Sequence, residues 1–194
     1  GKGGRAGSSN SDANQAGVEI RAALDNSSLH SKIKATGNGT IAIKGIGGSG
    51  SLSTANNLNA AGIRIISGQT NPIQSASGAI TLEGTSGYSG GGPGILIESP
   101  ISSTNGTINV KANQSIEGTL NQNGNIELKS TVTTGANLIL ESLGAVTQTA
   151  ALTADRLGLI GSGSFTLTNT SNNITTLAGG DSTTKLGDLS YIDV

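Results

Sequence analysis

Short runs in which apolar and polar residues alternate recur along the chain, and Gly, Asn and Ser separate them. Typical runs are only a few residues long, as at 18–20, 63–65 and 95–97. Alternation with a period of two places the apolar side chains on one face of a strand, and the separating residue types favour tight turns. No segment has the period of an amphipathic helix with a cap at each end. The pattern therefore predicts an all-β protein built from many short strands.

These runs repeat in a fixed order of three elements. The first elements are 17–21, 62–66 and 94–98; a lone Ile follows each of them, at Ile33, Ile73 and Ile101; and the third elements are 39–44, 78–83 and 106–111. Weaker copies of the third element occur at 124–129 and 135–141, and the alternation continues at 157–159 and 165–167. A sandwich or an antiparallel barrel joins neighbouring strands by tight hairpins, whereas a solenoid stacks equivalent strands about 4.8 Å apart. The ordered repeat predicts a right-handed parallel β-helix.

The repeat also predicts how the chain is divided. We expect residues 17–194 to form the β-helix and residues 1–16 to form a flexible or capping N-terminal segment. Unequal repeat lengths predict protruding loops at 45–60 and 84–92. The chain opens on Gly1 without an initiator Met, and its last residues resemble the start of another strand. We therefore expect a fragment of a longer polypeptide.

Charged residues end the third elements and provide a test of the stacking. The copies carry Lys44, Glu83 and Lys111, and the next copy is expected to carry Lys129. Stacking predicts attraction at the first two steps and repulsion between Lys111 and Lys129, unless the shape of the coil changes there. Exposed pairs of this kind contribute about 0.2–1 kcal/mol each.

Composition narrows the class of protein. The chain has 31 Gly, 2% aromatic residues, no Cys and a net charge of −1, so its core is expected to be thin and aliphatic. Disordered chains usually combine high net charge with few branched aliphatics, which does not fit this sequence. The charge gives no basic patch for nucleic acid, and no apolar run reaches the roughly 18 residues of a membrane span. The absence of Cys excludes disulfides and thiolate metal sites, and it is compatible with export.

The motifs for catalysis, metal or cofactor binding are incomplete. Calcium-binding nonapeptides need Asp where Leu52 and Leu96 stand. The glycine pattern at 37–42 resembles a dinucleotide fingerprint, but a predicted strand follows it where a helix is required. His30 is the only histidine and lies in a polar linker. We therefore predict no catalytic residue, no cofactor and no metal ion.

Two other functions give distinct expectations. A carbohydrate-binding or polysaccharide-cleaving β-helix is the main alternative, since such enzymes cluster charged residues on one face. It predicts that Arg64, Glu83, Glu98 and Lys111 lie together. An ice- or surface-templating solenoid requires regular Thr-x-Thr ladders, and the irregular Thr spacing argues against it.

The surface offers candidates for contact and modification. The Gly-rich loop at 85–93 contains a Tyr that is not expected in the interior, and Tyr88, Ser86 and Ser89 are the predicted contact residues. Potential N-glycosylation acceptors are Asn26, Asn38, Asn105, Asn113, Asn169 and Asn173.

The C-terminal third carries a family resemblance. The segments GAVTQT (144–149), LTADRL (152–157), GSGSFTL (161–167) and NNITTLA (172–178) resemble the shaft repeats of filamentous-haemagglutinin-like exoproteins. These are large bacterial adhesins exported by two-partner secretion or related autotransporter passengers.

The resemblance implies a right-handed parallel β-helix in a secreted or cell-surface protein. It further implies roles in adhesion, biofilm or contact-dependent competition, and hence in virulence. The implied partners are an outer-membrane export protein and host or bacterial surface glycans or proteins. The secretion domain of that family is not visible in this chain. We expect a structural shaft segment of an adhesin and not an enzyme.

Overall fold

The computed structural model describes residues 16–21, 32–48, 60–87, 92–114 and 124–194. Strands are the regular secondary structure of these ranges, and they are short because Gly, Ser or Asn interrupts each alternating run. In chain order they are β1 (Val18–Ile20), β2 (Ile33–Ala35), β3 (Ile41–Ile46), β4 (Ile63–Ile65), β5 (Ile73–Ser75), β6 (Ile80–Thr85), β7 (Ile95–Ile97), β8 (Ile101–Ser103), β9 (Ile108–Asn113), β10 (Ile126–Leu128), β11 (Val132–Thr134), β12 (Asn137–Ser142), β13 (Val146–Gln148), β14 (Leu152–Ile160), β15 (Phe165–Leu167), β16 (Asn173–Gly179) and β17 (Leu189–Tyr191).

The strands form two parallel sheets. One has the order β1-β4-β7-β10-β13-β15-β17, and the other has the order β2-β5-β8-β11-β14-β12-β9-β6-β3, with β16 beside β14. The first sheet is called column A. The second consists of column B (β2, β5, β8, β11 and the start of β14) and column C (β3, β6, β9, β12 and the rest of β14), and β16 continues both. One passage through A, B and C is a coil, so the described chain is an all-β parallel β-helix, as predicted.

The strand register confirms the repeat over its first three copies. Ile63 lies opposite both Val18 and Ile95 in column A. Ile73 has the same place between Ile33 and Ile101 in column B, and Ile80 lies between Ile41 and Ile108 in column C. Equivalent residues of the sequence repeat are therefore stacked neighbours.

The fourth copy departs from the prediction. Residues 126–128 form β10, which lies in column A between β7 and β13, so the assignment of 124–129 to the third element is wrong. The third element of this coil is β12, and Glu141 lies opposite Lys111. Lys129 therefore does not stack on Lys111, and the expected repulsion is replaced by an ion pair of 2.7 Å between Lys111 and Glu141.

A single aliphatic core runs through the described coils. In column A the inward residues Ile63, Ile95, Ile126, Val146 and Phe165 are at most 1% exposed, and each stacks on the next. Columns B and C contribute equivalent rows to the same cluster. Full burial of such side chains stabilises the fold by about 1.5–3 kcal/mol each, so the core can remain narrow and still support the helix.

Glycines are required where the turns between columns B and C stack. A Cβ atom on Gly78 would lie 1.9 Å from the carbonyl oxygen of Gly39, and one on Gly106 would lie 2.1 Å from that of Gly78. Backbone atoms cannot yield as a flexible side chain can. The close approach of successive coils at this corner therefore depends on the absence of side chains.

Buried hydroxyl groups form hydrogen bonds to the backbone of the same corner. Ser75, Ser103 and Thr134 end successive strands of column B and lie opposite one another. The Ser75 hydroxyl donates to the carbonyl of Gly78 at 2.7 Å. The Thr134 hydroxyl donates to the carbonyl of Gly106 at 2.7 Å. These bonds satisfy turn carbonyls that the sheet ladders do not reach.

The corner changes in the fifth coil, where columns B and C share the long strand β14. Asp155 and Arg156 are both exposed, which interrupts the alternation of buried residues. Their amides both donate to the carbonyl of Ala136, at 3.0 and 3.3 Å. A bend in one strand thus replaces the separate turn of the earlier coils.

Several predictions concern residues outside the described ranges. Residues 1–15 of the proposed N-terminal segment, most of the proposed loop at 45–60 (residues 49–59) and part of the one at 84–92 (residues 88–91) belong to this group. Gly45 and Gly84, placed at the starts of the loops, are instead strand residues of β3 and β6.

Candidate functional site

An alternating row of charged side chains lies on the outer surface of column C. Lys44, Glu83, Lys111 and Glu141 are stacked neighbours on β3, β6, β9 and β12. Lys44 Nζ donates to Glu83 Oε1 at 2.9 Å, and Asn113 Nδ2 donates to the same oxygen at 2.8 Å. The hydrogen bond from Lys44, followed by that from Asn113, lowers the pKa of Glu83. We call these four residues the charge ladder.

The charged residues of the carbohydrate alternative do not converge. Arg64 lies in β4 of column A, and its guanidinium is 3.5 Å from the carboxylate of Glu98, which directly follows β7. Glu83 and Lys111 lie in column C of the other sheet. The four residues thus form two separate groups and not one catalytic face. Arg64 and Glu98 pair with each other, whereas Glu83 pairs with Lys44 and Lys111 pairs with Glu141.

A shallow cleft lies beside the end of the charge ladder. Its volume is about 270 Å³. The lining residues are Lys111, Ala112, Asn113, Gln114, Glu141, Ser142, Leu143, Ile160, Gly161, Asp181 and Thr184. We call it the Leu143 cleft. These residues come from β9, β12, β14 and the positions that follow them, and from the turn at 181–184.

The Asp181 carboxylate is held in one orientation by its own turn. Its Oδ1 atom accepts hydrogen bonds from the Thr183 amide at 2.7 Å, the Thr183 hydroxyl at 2.8 Å and the Thr184 amide at 2.6 Å. These bonds, the one from the Thr183 amide first, lower the pKa of Asp181. The carboxylate therefore stays ionised at neutral pH, and all three bonds reach Oδ1, not Oδ2.

Leu143 stands out among the apolar residues of the surface. It is 45% exposed. The other exposed large apolar residues of the described ranges belong to the first coil or to the end of the chain: Ile33, Ile46, Leu177, Leu189, Ile192 and Val194. Sequence reasoning did not single out Leu143 or Asp181. The run Asp-Ser-Thr-Thr at 181–184 is a recognisable turn signal, but its position against β12 depends on the stacking.

The predicted contact residues are only partly described. Ser86 is buried, with 1% of its surface exposed, so its side chain is not presented at the surface. Tyr88 and Ser89 lie outside the described residues, and their contact role stays a prediction.

The predicted glycosylation acceptors occupy different environments. Asn38, Asn105 and Asn173 are exposed. The amide of Asn113 is engaged with Glu83, and that of Asn169 donates to the carbonyl of Thr149 at 2.9 Å. Asn26, like His30, lies outside the described ranges.

Within the part of the chain that the structure describes, no group of three or more His, Cys, Asp or Glu side chains is placed to hold a metal ion. The same residues include no helix of the length and hydropathy needed to cross a membrane.

The fold defines the protein as a parallel β-helix. Comparison of the chain with protein-family models, with curated proteins and with solved structures found no match.

Proposed function

We propose that this chain is a structural shaft segment of a large secreted or cell-surface bacterial adhesin and supports attachment or biofilm formation. The observation that carries the proposal is the continuous stack of column A, in which each strand from β1 to β17 pairs in parallel with its equivalent in the next coil. Such a stack grows in one direction, by about 4.8 Å per coil.

The bonding of the stack fits a load-bearing role. Backbone hydrogen bonds join each strand to the coils before and after it, so they run along the axis of the helix. The buried rows of Ile, Leu and Val form one cluster across the coils. Bending the helix would break both kinds of contact over several coils at once.

The adhesin assignment rests on the resemblance of residues 144–178 to shaft repeats. In the structure these residues form β13, β14, β15 and most of β16, and the coil that starts at Val146 returns to column A at Phe165, against Val18 to Ile63 for the first coil. A regular, loop-poor region suits a shaft, because projecting loops are where proteins usually carry binding residues.

Small-angle X-ray scattering of the purified chain, with far-ultraviolet circular dichroism on the same sample, tests the shaft. We expect an elongated particle with a β-type spectrum. A compact particle would reject the stacked-coil architecture and remove the basis of the proposal.

Immunogold labelling tests the adhesin part of the proposal. Antibodies raised against the purified chain should label the outer surface of intact cells that produce the full-length protein, between the cell envelope and the distal end of the fibre. Labelling confined to the cell interior would contradict it. Release of reducing ends from polysaccharides by the purified chain would instead favour the carbohydrate-cleaving alternative.

A further inference from the structure

The outer surface of column C carries three rows of side chains that run along the helix axis. Every second residue of β3, β6, β9 and β12 faces outward, and the strand register stacks these residues coil upon coil. The middle row is the charge ladder. The first flanking row is Ala42, Thr81, Asn109 and Ile139, and the second is Ile46, Thr85, Asn113 and Leu143. We call the three rows the column C face.

Each row matches its own reverse order. The charge ladder alternates from positive to negative, so the reversed ladder presents the opposite charge at every coil. Both flanking rows have an apolar residue in the first and in the fourth coil and two polar residues between them. Two such faces, placed against each other in opposite directions, therefore bring opposite charges together, apolar residues together and polar residues together.

We propose that the column C face binds a second copy of this chain, side by side and with the two helix axes antiparallel. The two-fold axis of this pair would run along the strand direction, between β6 and β9. Lateral pairing goes beyond the shaft function, because a shaft needs no partner along its side.

The charges favour the antiparallel arrangement over the parallel one. In the antiparallel pair, Lys44 faces Glu141 of the second copy and Glu83 faces Lys111 of the second copy, and symmetry makes each contact occur twice. The four side chains keep their neighbours within the chain, but they are 64%, 29%, 41% and 37% exposed in ladder order, so they can also contact a partner. In a parallel pair each charge would face its own copy and be repelled.

The flanking rows add apolar contacts at both ends of the face. Ile46 and Leu143 are 39% and 45% exposed, and the antiparallel pair places Ile46 against Leu143 of the second copy. The same operation places Ala42 against Ile139. Pairing therefore covers apolar surface that a single shaft leaves in contact with water.

The size of the face predicts weak association. The four coils span about 14 Å along the axis, and the outward residues of one strand span about 13 Å across it. Such a face is much smaller than the roughly 800 Å² per partner of a stable interface. We therefore expect a reversible dimer with a dissociation constant on the order of 0.1 mM.

Sedimentation equilibrium of the purified chain, from about 10 µM to 1 mM, covers this range. We expect a monomer–dimer equilibrium at low salt. At about 0.5 M NaCl the dissociation constant should rise by about fivefold or more, because salt screens the exposed charges.

Two charge reversals on the face test the pairing and its direction. Glu83→Lys alone would face Lys111 of the second copy, and Lys111→Glu alone would face Glu83, so each variant should dimerise at least about tenfold more weakly. In an equimolar mixture, the introduced lysine of one variant faces the introduced glutamate of the other, and the remaining Lys111 faces the remaining Glu83. The mixture should therefore dimerise about as well as the unchanged chain.

Lys129→Glu is the matched control. Lys129 follows β10 in column A and is paired with Glu127, so it lies outside the column C face and its reversal should leave dimerisation unchanged. Circular dichroism reports whether each variant is folded, and recovery on mixing would not occur if a variant had simply failed to fold.

Three results would overturn the proposal. They are a monomer at about 1 mM, a dimer that neither reversal weakens, as end-to-end association would give, and a mixture that associates no better than the separate variants. A monomer that scattering shows to be elongated would reject the lateral pairing alone and leave the shaft proposal standing.

Discussion

The glycines between columns B and C constrain the stacking more strongly than the charges of column C do. The pair Lys44–Glu83 has side chains 64% and 29% exposed, and such pairs contribute about 0.2–1 kcal/mol. A side chain on Gly78 would instead overlap backbone atoms of the neighbouring coil. Backbone hydrogen bonds set the spacing of the coils, the glycines allow the corner to follow that spacing, and the charges add a small preference for the correct register.

Substitution of Gly78 tests the steric argument. Gly78→Ala should lower the free energy of unfolding by at least about 1–3 kcal/mol, the usual cost of overpacking, because the new methyl group would meet the Gly39 carbonyl. Gly158→Ala is the matched control, since its Cβ would lie 3.6 Å from the nearest atom. Urea denaturation of both variants measures the difference, and equal stabilities would contradict the argument.

Reversal of one charge tests the ladder. Glu83→Lys would place three lysines in successive coils, at 44, 83 and 111. We expect a loss of about 1 kcal/mol in unfolding free energy at low salt, and a smaller loss at high salt because screening shortens the range of the repulsion. A loss independent of salt would show that charge is not its cause.

The contribution of Glu83 should depend on pH in a defined direction. Hydrogen bonds from Lys44 and Asn113 lower the pKa of Glu83 in the folded state from its ordinary value of 4.5. The stabilisation is therefore present above about pH 4.5 and is lost as the pH falls through the folded-state pKa. Glu83→Gln should melt below the unchanged chain at pH 7, and the gap should close in acid. A constant gap would contradict the assignment.

At the scale of the element, each short strand depends on the turns that follow it. A strand of three residues makes few ladder hydrogen bonds, so side chains such as Thr134 and Asn172 form hydrogen bonds with backbone amides and carbonyls that the ladders leave unpaired. Asn172 is fully buried; it accepts from the Leu152 amide at 2.9 Å and donates to the Ile192 carbonyl at 2.9 Å, and it is also bonded to Gln148.

Removal of a buried hydroxyl tests the corner of column B. Thr134→Val keeps the shape of the side chain but leaves the Gly106 carbonyl, 2.7 Å from Oγ1, without its donor and the Ala136 amide, 3.1 Å from Oγ1, without its acceptor. The cost of such an unsatisfied buried group is about 1–3 kcal/mol. Thr133→Val on the exposed face of the same strand is the control and should change stability by less than about 0.5 kcal/mol. Equal effects in thermal melts would contradict this role.

At the scale of the whole molecule, stability is expected to add up coil by coil, because each coil contacts mainly its neighbours. The coil from 126 to 145 can be removed in register, since Ile126 lies opposite Val146. Val146, Leu152 and Leu157 would then take the places of Ile126, Val132 and Leu138.

We expect the chain without 126–145 to remain folded, with an unchanged cross-section and a length shorter by about 4.8 Å. Small-angle scattering and circular dichroism check both expectations. Removal of 126–135 alone is the control, because β12 would then enter column A and the core rows would no longer match. If that variant folded as well as the full-coil deletion, the column assignment would be wrong.

The sequence by itself determined the strand class, the order of the three elements and the register of the first three coils. These features follow from local alternation and from turn residues at equivalent places, such as the glycines before Val18, Ile63 and Ile95. Alternation and turn preference each depend on only a few consecutive residues, so the sequence alone is enough to recognise them.

Only the tertiary structure decided which column receives each later strand. A three-residue run such as Ile126–Leu128 suits column A or column C equally, because alternation specifies a buried face but not a neighbour. Pairing with the neighbouring coils makes that choice: β10 lies between β7 and β13 in column A, and Glu141, not Lys129, lies opposite Lys111. The Leu143 cleft arises in the same way, since only the stacking of coils brings residues of β9, β12 and the turn at 181–184 to one cleft.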